Sequence, residues 1–97
     1  MKTEVIKLIT KTHSGAKVDE KETEIYATKK SVRQSEFYTA QQIGHNPQIM
    51  LIVDALDFES AVVDGEPASE VEYNDKRYVI LRTYEPDSDV ELICEVM

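Results

Sequence analysis

Near the start of the chain, Val5, Lys7 and Ile9 alternate with Ile6, Leu8 and Thr10. A period of two predicts a first strand. His13 to Glu22 is polar and holds Ser14-Gly15, which reads as a loop or hairpin turn. Glu24 to Lys30 supports a second strand with Ile25 facing inward. The pattern then changes. Phe37, Ala40 and Gln41 are spaced i, i+3, i+4, with Tyr38 and Gln42 beside them, so Arg33 to Ile43 is predicted as a helix. Ser31 is its expected N-cap and Gln34 the capping-box partner. Gly44 suits the left-handed position after the helix, and Pro47 prevents continuation.

Gln48 to Leu56 is the most apolar stretch and predicts a strand buried on both faces. Asp57 to Ser69 is mixed and acidic, around Asp64-Gly65-Glu66-Pro67. It is expected to be a long loop with one helical turn near Phe58–Val62, and loops of this length are usually functional or mobile. Glu70 to Tyr73 and Arg77 to Tyr84 are strands about an Asn74-Asp75 turn. After a turn at Glu85-Pro86-Asp87-Ser88, Val90, Leu92, Cys94 and Val96 alternate with Glu91, Ile93 and Glu95. The last strand should therefore have one apolar and one mostly acidic face. Together these elements predict a mainly β fold. It is a small antiparallel six-stranded barrel or sandwich with one short helix in a connecting segment, spanning residues 1–97 as a single domain.

The composition agrees with a folded domain. Hydrophobic residues make up 41% of the 97 positions, too many for a disordered chain. No apolar run approaches the length of a membrane span, and the N-terminus has no signal-peptide pattern, so intracellular production is expected. Charge separates the two halves. Residues 1–48 hold eight Lys/Arg and six Asp/Glu, a net of +2, whereas residues 49–97 hold three and thirteen, a net of −10. Such acidity opposes tight binding to a nucleic-acid backbone. It reads either as a solubility reserve or as an acidic wall.

The sequence offers no catalytic motif. His13 and His45 stand in no ligand-spaced pattern and are expected in surface loops; the three glycines are scattered; no serine lies in a nucleophile elbow. Cys94 falls on the apolar face of its strand, where a thiol is a small hydrophobe rather than a nucleophile. Asp54, Asp57 and Glu59, and Asp87, Asp89 and Glu91, form acidic groups that lack the spacing of a calcium loop. No enzymatic activity, metal or cofactor is expected. Arg82 stands out in an otherwise apolar strand. It implies an ion pair, either within one subunit or between subunits.

Two segments carry a resemblance. One is Ser31-Val32-Arg33-Gln34-Ser35-Glu36-Phe37-Tyr38-Thr39-Ala40, followed by Gly44 and Pro47. The other runs from Val71 to Tyr84 and closes with Val90-Glu91-Leu92-Ile93-Cys94-Glu95. In this order they resemble the head-closure proteins of long-tailed bacteriophages, also called head–tail stopper or joining proteins. The likeness is greatest to the branch found in phages and prophages of Gram-positive bacteria. The segment from Val53 to Pro67 is longer and more acidic than the family pattern.

The resemblance implies a small β-barrel with a helix-bearing excursion. It also implies a structural virion protein, made in the host bacterial cytoplasm. Its subunits would be monomers in isolation and form a ring below the portal and adaptor. The ring would close the DNA channel after packaging and offer the tail, or its terminator, a docking surface. DNA would pass through transiently and without sequence preference. On this reading Glu36, Phe37, Tyr38, Gln41, Gln42, Asp57, Phe58, Glu59 and Arg82 are candidate interface residues. Asp57, Glu59, Asp64 and Glu66 would form a channel-facing acidic loop. The Ser31–Pro47 segment is expected to be mobile and is one candidate gate; Asp57–Ser69 is the other. Two other classes remain open at this point. A DNA-mimicking acidic module would carry carboxylates at phosphate spacing on one exposed face. A single-strand-binding barrel would need a basic groove, for which only Lys29, Lys30 and Arg33 are available.

Overall fold

Six antiparallel strands close into one barrel in the computed structural model, which describes residues 2–97. They are β1 (Glu4–Ser14), β2 (Lys17–Lys30), β3 (Ile49–Asp54), β4 (Glu70–Tyr73), β5 (Lys76–Tyr84) and β6 (Asp89–Val96). Two short helices interrupt them, α1 (Gln34–Gln42) between β2 and β3, and α2 (Ala55–Ser60) after β3. The order around the barrel is β1-β2-β3-β6-β5-β4. The expected small six-stranded barrel is therefore present, closed rather than split into a sandwich.

The core follows from the two-residue alternation of each strand read across the register. Ile6 pairs with Ile25, and Leu8 with Val71. Ala27, Val53 and Val90 line up across three strands, as do Ile49, Cys94 and Ile80. Side chains in one such row point to the same face, so these rows fill the barrel interior. Leu8, Ala27, Leu51, Val53, Val71, Leu92 and Cys94 are fully enclosed. Near the end of β4 the Tyr73 hydroxyl donates to Glu4, and the Lys29 ammonium lies 5.9 Å from the Tyr73 ring centre.

The turns match their residues. Asn74 and Asp75 both adopt positive φ (51° and 62°), the type I′ requirement. Gly15 has φ 63° while Ala16 does not share it, the pattern of a type II′ turn.

Four local expectations are corrected. Of the two readings of His13 to Glu22 the hairpin turn holds, at Gly15-Ala16, and the loop does not. β1 and β2 pair continuously out to Ser14–Lys17 as a two-stranded ribbon, so His13 is a strand residue. Its side chains are mostly polar and exposed, so they leave no apolar alternation. Ser31 does not cap α1. Arg33 occupies the N-cap and no side chain caps the helix; Gly44 does take the expected position, with Gly44 N–H to Gln41 O and His45 N–H to Ala40 O. The second helix begins earlier than the predicted turn, because the Asp54 carboxylate accepts the Leu56 N–H at 2.8 Å and starts it at Ala55. Finally, the mostly acidic face of β6 is present, but it is covered rather than exposed, since the solvated charge expected at Glu91 is buried along with Ile93.

Candidate functional site

β2 and β3 are neighbours in the barrel, with Lys30 opposite Met50. The segment 31–48 between them is therefore an excursion over the outer wall. It covers the outward row in which Met50, Ile93 and Arg82 are consecutive cross-strand partners. Met50 and Ile93 point away from the barrel core and yet are 4% and 2% exposed. α1 itself has no buried residue. Between it and β5/β6 lies a cavity of about 130 Å³, bounded by Ala40, Ile43, Leu81 and Ile93.

Polar contacts hold this strap to the barrel. Arg33 donates to Glu91 at 2.5 Å and reaches Met50 Sδ at 3.6 Å. Glu36 meets Arg82 at 3.1 Å. Glu95 accepts the Asn46 N–H at 2.5 Å and faces His45 Nδ1 at 3.2 Å. The Asn46 N–H, and then His45, hold the Glu95 carboxyl below its ordinary range. Gln48 Oε1 accepts the Val96 N–H at 2.7 Å. Of the candidate interface residues here, Glu36 and Arg82 pair with each other within the single chain, the arrangement of the first of the two readings of Arg82. Phe37 is half-buried, and Tyr38, Gln41 and Gln42 are exposed.

The second candidate segment crosses the barrel. β3 and β4 lie on opposite sides of the strand order, so residues 55–69 must pass over an end. Ala61 and Ala68 join the core, Ala55 and Phe58 pack against it, and the Thr10 hydroxyl donates to Ala61 O at 2.6 Å. Phe58 is thus part of the barrel plug, whereas Leu56 is 80% exposed. Asp57 lies in the first turn of α2, where a carboxylate favours the helix dipole. Asp64 and Gly65 both take positive φ, forming a tight turn closed by two bonds between Val63 and Glu66.

The charge separation along the sequence is partly offset within the fold. Lys2 pairs with Asp89 (2.9 Å), Lys7 with Glu72 (3.7 Å), Lys11 with Glu70 (2.6 Å) and Arg33 with Glu91. Each pair joins the N-terminal half to the acidic half. The Asp89 hydrogen bond raises the Lys2 ammonium, helped by Asp54 and Asp57 nearby. Glu70 is the best shielded carboxylate, 6% exposed on the outer wall between Lys11 and Arg77. Burial pushes its carboxyl up, but hydrogen bonds from those two cations outweigh burial and hold it below the ordinary range. Asp57, Glu59, Asp64 and Glu66 make no ion pair among the described residues. The predicted acidic loop therefore carries four uncompensated carboxylates.

Glu70, Glu95 and Met50 are structural members that the sequence did not single out, and Glu91 stood there only as part of an acidic group. Their only sequence trace is an outward position on a strand, whose partner depends on register. Burial lifts the Cys94 thiol to about 12, out of nucleophilic range. Among the described residues no group of three His, Cys, Asp or Glu could hold a metal ion. No helix is long and apolar enough to cross a membrane. In comparisons with known proteins, no protein-family model and no curated protein matches this chain.

Proposed function

We propose that this protein is a head-closure subunit of a long-tailed phage or prophage, acting by assembly rather than by chemistry. The observation that carries the reading is architectural. A closed barrel bears a helical excursion between two adjacent strands, 31–48, as the resemblance implies. Two features support it. The strap has no buried helical residue and is held mainly by polar contacts, which suits a segment that shifts when subunits meet portal, adaptor or tail proteins. The unpaired carboxylates of Asp57, Glu59, Asp64 and Glu66 suit a surface past which DNA slides, since like charge prevents adhesion. The acidic-mimic reading is the less favoured, because Glu70, Glu72, Asp89, Glu91 and Glu95 of the C-terminal half are paired within the chain.

The test mixes the purified chain with portal and adaptor rings of the same phage and measures mass by sedimentation. A ring-sized addition to the portal–adaptor particle is expected. Persistent monomer alongside unchanged portal–adaptor particles would refute the reading.

A further inference from the structure

The β1–β2 ribbon leaves backbone unpaired on both of its sides. β4 covers β1 only at Lys7–Ile9, and β3 covers β2 only at Ala27–Lys30. From Thr10–Lys21 to Ser14–Lys17 the ribbon continues beyond both neighbours, about 15 Å at the usual rise per residue. Backbone groups in a strand alternate between its two sides. Ile9 O accepts from Ser69 N–H on the β4 side, so the groups of Lys11 and His13 point the same way, into the open. Thr10 and Thr12 then face β2, where their partners are Lys21 and Asp19. The β2 groups directed away from β1 are those of Val18, Glu20 and Glu22. A two-stranded ribbon without a hydrophobic face is marginal by itself. Two unpaired edges are also a template for strand addition.

The two edges differ in charge. On β1, Lys7 and Lys11 are the only charged residues from Lys7 to Ser14, while β2 from Lys17 to Glu24 holds four acids and two lysines. Lys7, Lys11 and Glu20 already pair within the chain with Glu72, Glu70 and Arg77, so the remaining bias is the excess acid on β2. Two β2 edges would repel, which disfavours that two-fold dimer and leaves head-to-tail β1–β2 pairing the better matched. Geometry agrees. Rotating a copy about an axis parallel to the ribbon changes no heights, so the register across the joint repeats the register within the ribbon. That sets Lys11 of one copy opposite Glu20 of the next, and His13 opposite Val18. All four residues direct their backbone groups into the joint, as a hydrogen-bonded antiparallel pair requires.

We infer that the β1 edge of one copy pairs with the β2 edge of a second copy, Lys11 to Glu20 and His13 to Val18, through the protruding ribbon. Four backbone bonds make a weak joint, so it forms at high local concentration. It supplies the lateral contact for the ring in the proposed function. Closure into a ring rests on that reading; the edge pairing does not.

The experiment mixes His13→Cys and Val18→Cys chains at equal, several-hundred-micromolar concentration under mild oxidation. No single chain carries both new thiols, so every cross-link is between copies, and Cys94 is enclosed. The two-chain product should exceed that of either chain alone at least tenfold. Adding Glu20→Pro to the Val18→Cys chain removes an edge N–H that β1 does not use, and should cut cross-linking about tenfold. Glu20→Ala keeps the N–H and also loses the Arg77 ion pair; it should retain most of the product. Thermal melts establish that each variant is folded. Cross-linking no greater than in the single-variant samples, or unaffected by the proline, overturns the inference. A portal-bound ring still formed by the folded Glu20→Pro chain would overturn it while sparing the proposed function; the parent chain staying monomeric with portal and adaptor would instead refute that function.

Discussion

Replacing Phe58 and, separately, Leu56 by alanine separates two roles for one short helix. Phe58 packs against the barrel core beside Ala55, while Leu56 on the same helix is 80% exposed. Truncating a fully buried phenylalanine costs about 3–5 kcal/mol, from lost transfer energy and the cavity left behind. Phe58 is partly exposed, so about 2–3 kcal/mol is expected for Phe58→Ala. Each kcal/mol shifts the melting temperature of a domain this size by roughly 4–8 °C, so the loss should be roughly 10–20 °C. Leu56→Ala removes little buried area and should stay within about 0.5 kcal/mol of the parent. Urea unfolding at matched pH measures both, and unchanged m-values would establish that only stability moved. If Phe58→Ala were as mild as Leu56→Ala, α2 would not plug the barrel, and the interface role first assigned to Phe58 would regain its footing.

Lowering the pH should weaken the fold in a defined window. Glu70 and Glu95 have folded-state pKa values below their unfolded ones, so their contribution is complete above the ordinary carboxylate range and is lost as pH falls through the folded values. Urea midpoints at pH 7, 5 and 3 should fall toward pH 3, and Glu70→Gln should flatten that slope; an unchanged slope would count against the Lys11–Glu70–Arg77 cluster. Removing the strap's ion pair by Arg82→Ala or Glu36→Gln should cost little, with a coupling of about 0.2–1 kcal/mol for a pair whose arginine is exposed, read from a double-mutant cycle. In hydrogen exchange, the α1 amides should exchange far faster than those of β3 and β6, and equal protection would show the strap to be part of the core. Cys94 should react with a thiol reagent only on unfolding, and rapid modification of the folded chain would contradict its place inside the barrel.

Where apolar residues alternated, the sequence determined the element. Ile6 to Thr10, Gln48 to Asp54 and Val90 to Cys94 read as strands because burial of one or both faces leaves a period-two or continuous apolar trace. The Asn74-Asp75 turn and the Gly44 helix end were equally legible, since positive φ selects a few residue types. The β1–β2 ribbon and the start of α2 were not. The ribbon is held by backbone pairing, which leaves no side-chain signature, and α2 starts on one carboxylate bond from Asp54. The charge asymmetry was visible as a count, but its meaning was decided by register. Only when β1 lies beside β4 does Lys11 meet Glu70 and Lys7 meet Glu72, and only when the strap folds over β6 does Arg33 meet Glu91. Pairing across strands depends on which residues become neighbours in space, and alternation along a single strand holds no information about that choice.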